Sequence, residues 1–152
     1  MLKDSKPRIS ARHSSRLKGV QALYQHELTS DDMNSIVEQV VSAIQEKAAI
    51  ENFKGLVPDL EFFKEIVLGT HKNREAVDEE ITANLSQGWR LERLPLVVLC
   101  ILRQAVYELR YQPLVPGPVI INEYIEITKD FFDEAETSFV NGILDAISKK
   151  SR

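Results

Sequence analysis

The stretch "PLVVLCILRQAVYELRY", residues 95–111, decides the fold of this chain. Its spacing predicts a helix, with Pro95 in the first turn, where a missing N–H costs no hydrogen bond. Near its start the predicted helix is apolar on most sides. A helix lying on the surface would keep one polar face, so this one belongs at the centre of a bundle, surrounded by others.

Helical spacing continues outward in both directions, and strand-like alternation is hard to find. C-terminally, "QPLVPGP" (112–118) makes a turn with three prolines and a glycine. Two helices are expected after it, over about 118–131 and 134–149, the second with Phe139, Ile143 and Ile147 on one stripe. N-terminally, "SQGWRLERLP" (86–95) is a break. Residues 59–85 repeat helical spacing through Leu60, Phe63 and Val67, then Val77, Ile81 and Leu85. Their length and Gly69 predict two consecutive helices or one kinked helix. "ENFKGLVP" (51–58) separates them from a helix carrying Met33, Ile36, Val37, Val40 and Ile44 on one face. The first helix starts after Ser10, a suitable N-cap. On its wheel Leu17, Val20, Tyr24 and Leu28 share one side, and Arg8, Arg12 and Arg16, each four apart, share the adjacent side. The expected architecture is an all-α bundle of about seven helices.

At 152 residues, 43% apolar and 28% charged, the chain has the size and composition of one globular domain. Residues 10–152 are read as that domain, and residues 1–9, with Pro7 and polar neighbours, as a flexible basic leader. Cys100 is the only cysteine, so no intrachain disulfide is possible, which suits a reducing cytoplasm. The N-terminus lacks the apolar core of a secretory signal. The apolar run Leu94–Leu102 is shorter than the roughly 20 residues of a membrane-spanning helix. A soluble, cytoplasmic protein that contacts no membrane is expected.

Charge is unevenly placed. Residues 1–19 hold Lys3, Lys6, Arg8, Arg12, Arg16 and Lys18 against Asp4 alone, a balance of +5, while the whole chain carries −4 and residues 20–152 therefore −9. A basic end on an acidic body suits contact with a polyanion. Arginines one helical turn apart can bridge successive phosphates or stack on unpaired bases. Cations at a helix N-terminus also oppose the helix dipole, which favours an external anion as their partner. The competing reading is a solvated first turn that aids solubility.

Enzyme chemistry finds no footing. His13, His26 and His71 are far apart and form neither HExxH nor a Cys/His cluster, so no metal or cofactor site is expected. His71 and Glu75 read as a surface pair. Cys100 sits amid aliphatic residues and reads as an inert buried thiol. Asp78, Glu79 and Glu80 read as a solvated helix face. Gly117 precedes Pro118, which has no N–H to offer a phosphate.

Several segments resemble the NusB family of bacterial transcription antitermination factors. "ARHSSRLKGVQALYQHE" resembles its Arg-rich opening, and "LERLP", "ILRQAVYEL", "VIINEYIEITKDF" and "SFVNGILDAI" resemble its later blocks in the same order. The pairing of "INE" with "FVNG" at this spacing is the specific part. The resemblance implies two small helical bundles. It also implies binding to boxA-type single-stranded RNA of nascent ribosomal transcripts, jointly with the ribosomal protein NusE. That complex supports read-through by RNA polymerase. By position, Arg12, His13 and Arg16 match sites that are usually basic, with Arg8 and Lys18 flanking them. Tyr24 matches the family's tyrosine after "QAL", and Phe139 the aromatic residue opening "FVNG", near its RNA-contacting surface; a buried role is the competing reading for both.

Two departures bear on function. "LPLVVLCIL" is more apolar than its family counterpart, part of which helps to contact NusE. Val97 and Val98 are therefore either partner-binding positions or an apolar patch for self-association as a homodimer. Ser14 and Ser15 stand where an extra arginine is often found, which implies modest affinity for RNA alone. Gly142 is read as allowing close helix approach, Asn122 and Asn141 as bonding backbone groups, and Arg103 as pairing with Glu123 or Glu126. The favoured function is a non-enzymatic RNA-binding adaptor. A module preceding an RNA cytosine methyltransferase domain lacks room in 152 residues. A purely protein-binding helical module with incidental RNA affinity is the remaining alternative.

Overall fold

Twelve consecutive residues of one helix, Val98 to Leu109, are buried, which only a helix enclosed on all sides can achieve. The computed structural model describes residues 10–50 and 57–152. Among these are seven α-helices and no strand: α1 (Ala11–Thr29), α2 (Met33–Ile50), α3 (Leu60–Lys72), α4 (Arg74–Ala83), α5 (Leu96–Tyr111), α6 (Gly117–Phe131) and α7 (Glu134–Ser151). A 3₁₀ turn at Leu91–Arg93 leads into α5. The leader, residues 1–9 with Arg8, lies outside the described residues, as does most of the 51–58 break. Helices α1, α2 and α3 pack on one another, and α4 to α7 form a second group around α5, which also meets α1 and α3.

Local chemistry explains most boundaries. Ser10 accepts the His13 N–H through its Oγ at 2.9 Å, and Asp59 caps α3 by accepting the Phe62 N–H at 3.0 Å, each satisfying an orphan first-turn donor. The two-helix reading of 59–85 holds, but the break falls at Asn73, not Gly69. The Asn73 side chain donates to the Gly69 carbonyl at 2.8 Å, and its backbone N–H bonds the same carbonyl at 3.0 Å. Side-chain competition of this kind ends helices. Gly69 stays inside α3 because the Tyr107 ring occupies the space a Cβ would need. Gly19 of α1 serves Gln104 of α5 in the same way. Gly142, expected to permit close approach, faces open space.

The ionic contacts rearrange several expectations. Arg103 pairs with neither Glu123 nor Glu126. It donates from Nε and Nη2 to Asp78 at 2.8 and 2.9 Å, clamping α5 to α4, and approaches Glu27 at 3.7 Å. Asp78 is thus no solvated residue, and neither is Glu80, which takes Arg110 at 2.7 Å; Glu79 alone stays exposed. Leu28, placed on the buried side of α1, is 62% exposed, since it lies in the helix's last turn. Cys100 is buried, and burial pushes its thiol up to about 12, which makes it inert as a nucleophile.

His71 meets His26 rather than Glu75, with ring centroids 4.8 Å apart in an edge-to-face arrangement. Partial desolvation of a largely exposed ring, then the His26 and Arg74 charges, lower its pKa from the ordinary 6.5. A lowered pKa means that the unfolded chain binds more protons than the fold as pH falls through 6.5 and below, so stability drops over that window. His71→Gln is expected to lose less stability than wild type between pH 7.5 and pH 5. The difference should stay under about 1 kcal/mol, since water screens an exposed ring. Paired thermal melts across pH check this; parallel curves would contradict it.

Candidate nucleic-acid interface

The N-terminal end of α1 carries the cations that the sequence singles out, and the bundle has already used several of them. Arg16 is the clearest correction. Expected on an exposed stripe, its side chain is only 4% accessible. Its Nε and Nη2 donate to the Glu108 carboxylate of α5 at 2.8 and 2.9 Å, and Nη1 donates to Glu123 of α6 at 3.2 Å. Burial alone would lower the Arg16 pKa, but the hydrogen bond and charge of Glu108 outweigh it and hold the guanidinium above its usual value. The Tyr124 hydroxyl also donates to Glu108, and Gln104 Nε2 bonds the Arg16 carbonyl and the Tyr124 hydroxyl at 2.8 and 2.9 Å. Burial, with Glu108 close by, keeps that phenol protonated far above its ordinary range. The network bolts α1 to α5 and α6.

His13 is drawn in as well, its Nδ1 lying 2.9 Å from Glu123 Oε1. Arg12 is freer. Its side chain is 51% exposed and 3.9 Å from Asp59 Oδ2, with the guanidinium 4.3 Å above the Phe62 ring. The anions that offset cations at this helix end are therefore partly internal: Glu123, Glu108 and Asp59. Lys18 is exposed and stands at the rim of an apolar groove of about 380 Å³ between α1 and α2, with Val40, Ile44 and Lys47 opposite. Six residues apart, Arg12 and Lys18 point about 120° from each other around the helix. Among the described residues, the N-terminal half of α1 thus offers two separate exposed cations rather than one continuous stripe.

The other sequence-predicted positions divide similarly. Tyr24 is half-buried and packs against the core. Val98 is 1% exposed, so it can neither touch a partner nor form a self-association patch; Val97 is partly exposed and leans on the core. Phe139 is half-buried, and its ring meets Trp89, centroids 5.7 Å apart and planes tilted by 33°. Sequence reading passed over Trp89, because a loop residue has no periodicity to mark it. Its only signal was a large aromatic side chain amid polar neighbours.

The sequence profile of the NusB family matches residues 13–149. This chain belongs to the NusB family. The transcription antitermination protein NusB of Caulobacter vibrioides is 38% identical over 145 residues, 95% of this chain and 97% of its own length. That of Bacillus cereus is 39% identical over 137 residues, 90% of this chain and 95% of its own. Among solved structures, T. maritima NusB superimposes with a TM-score of 0.76 at 33% identity, covering 97% of this chain and 94% of that one. A NusB-like chain from the crystal structure of antitermination factors NusB and NusE in complex with dsRNA gives 0.75 at 26% identity, covering 92% and 97%. The all-helical fold is therefore the family's fold. These relatives are named as transcription antitermination proteins, not as enzymes. Among the described residues no helix is long and apolar enough to cross a membrane.

Proposed function

We propose that this chain is a cytoplasmic, RNA-binding transcription antitermination factor. It binds boxA-type RNA of nascent ribosomal transcripts together with the ribosomal protein NusE and supports read-through by RNA polymerase. The observation that carries this reading is the near full-length likeness to a chain crystallised among NusB, NusE and dsRNA. Arg12 and Lys18 supply exposed positive charge, and Phe139 with Trp89 an accessible aromatic surface. The rival reading, self-association through Val97 and Val98, loses its patch because Val98 is buried.

Binding of boxA-type RNA titrated across salt, with and without NusE, tests the proposal. The acidic body of the chain repels phosphates at long range, so affinity without NusE should be modest. NusE should tighten RNA binding, and by linkage RNA must tighten NusE binding equally, by about 1–3 kcal/mol in typical cases. Arg12→Ala with Lys18→Ala should make the log–log salt dependence shallower by roughly 0.7 per lost phosphate contact, with little change in melting. Indifference of RNA affinity to NusE would remove the mechanism, and an unchanged salt slope would clear both cations.

A further inference from the structure

The segment before α5 presents its aromatic residue in an unusual way. Gly88 has a φ of 90°, a backbone state that side-chain-bearing residues rarely adopt. The Trp89 N–H closes the turn on the Ser86 carbonyl at 3.0 Å. Trp89, which follows, is 54% exposed, although large aromatic side chains are usually recruited to the core. One part of the ring rests near Phe139, which itself packs on the core. Trp89 thus touches one aromatic ring of the core's edge and stays more than half exposed.

Its surroundings are cationic and polar. Arg90 and Arg93 are exposed, and among the described residues neither pairs with a carboxylate; the nearest acid in sequence is the exposed Glu92 between them. Ser86, Gln87 and Gly88 on the other side are exposed too. An apolar protein partner would be met by exposed aliphatic neighbours, whereas Leu85 and Leu91 are partly buried against the core and the exposed residues from 86 to 93 are, besides Gly88 and Trp89 itself, polar or charged. A supported aromatic ring with guanidinium groups one and four residues away fits an unpaired base stacked on the ring and its phosphates held at the side.

We infer that Trp89, supported by Phe139 and flanked by Arg90 and Arg93, is a base-stacking platform for single-stranded RNA. This rests on the proposed RNA-binding function and deepens it, assigning a stacking role to Trp89 beside Phe139, whose position the family resemblance already sets near the RNA. Arg90 and Arg93 add phosphate contacts that the internally neutralised α1 end gives up.

Trp89 is the only tryptophan of the chain, so tryptophan fluorescence, excited selectively over the four tyrosines, reports on this site alone. Adding a short single-stranded boxA-type RNA should quench it, with a midpoint matching the dissociation constant from an independent binding assay. Trp89→Ala should weaken binding about tenfold or more without moving the salt slope, while Trp89→Phe keeps most of the affinity. Arg90→Ala with Arg93→Ala should do the converse, making the slope shallower by roughly 0.7 per contact. Equal affinity of wild type and Trp89→Ala, or fluorescence unchanged at saturating RNA, overturns the inference while leaving the proposed function standing. So does an affinity loss that tracks a loss of melting temperature in both Trp89 variants. Loss of NusE binding at unchanged RNA affinity overturns it in favour of a protein-docking surface. Wild-type protein that binds no RNA overturns both readings.

Discussion

Arg16→Ala is expected to cost about 3–5 kcal/mol of stability, a fall in melting temperature on the order of 10 °C for a chain of this size. The reason lies in what is left behind. Glu108 is fully buried, and without the guanidinium its carboxylate keeps only the Tyr124 hydroxyl as a hydrogen-bond donor. An unpaired charge in the core costs far more than the pair contributed. Arg16→Lys should recover little, because a point charge cannot span both Glu108 oxygens and reach Glu123 as a planar fork does. Replacing both partners, Arg16→Met with Glu108→Met, should cost clearly less than the two single changes added together, since the pair acts as a unit. Thermal melts of the singles and the double decide the matter. If Arg16 were an exposed phosphate contact, Arg16→Ala would melt like wild type and reduce only the salt slope of RNA binding.

That contrast shows what the sequence could and could not reveal. The enclosure of α5 was legible because apolar residues run around the helix instead of along one stripe, and that pattern has a single structural solution. The helix start at Ser10 was legible for the same kind of reason, as a cap needs only its own next turn. The fate of Arg16 was not. Its spacing from Arg12 puts it on a basic side of α1, and whether that side faces water depends on Glu108 and Glu123, which lie about ninety and more than a hundred residues away. Arg103 went the same way, finding Asp78 on the neighbouring α4 rather than the α6 carboxylates. Long-range ion pairs leave no periodic trace. Resemblance to a family could place basic positions at Arg12, His13 and Arg16, but it could not divide them into charges that hold the bundle together and charges left free. Trp89 escaped for another reason: its exposure follows from the Gly88 turn and its support from Phe139, fifty residues on.

Val98→Glu should abolish the fold, not create a monomer. Val98 is 1% exposed on a helix whose every residue from 98 to 109 is buried. A carboxylate there either ionises without a partner, at a cost of several kcal/mol, or binds a proton and still displaces apolar contacts. Either outcome consumes much of the roughly 5–15 kcal/mol that holds a domain together. Val97, one residue earlier and 100° around the helix, is partly exposed, and Val97→Glu should therefore fold with only a modest loss. Circular dichroism melts of the two variants read this difference directly. Folded Val98→Glu protein that sediments as a smaller species than wild type would restore the apolar patch and with it self-association. Between the two valines, only Val97 can then report on a partner: a folded Val97→Glu that loses NusE binding while keeping RNA binding would place NusE against the start of α5. The apolar run that looked like a surface departure is, for Val98, a consequence of burial. A residue facing the core has no partner to choose, and its chemistry is set by the bundle that closes over it.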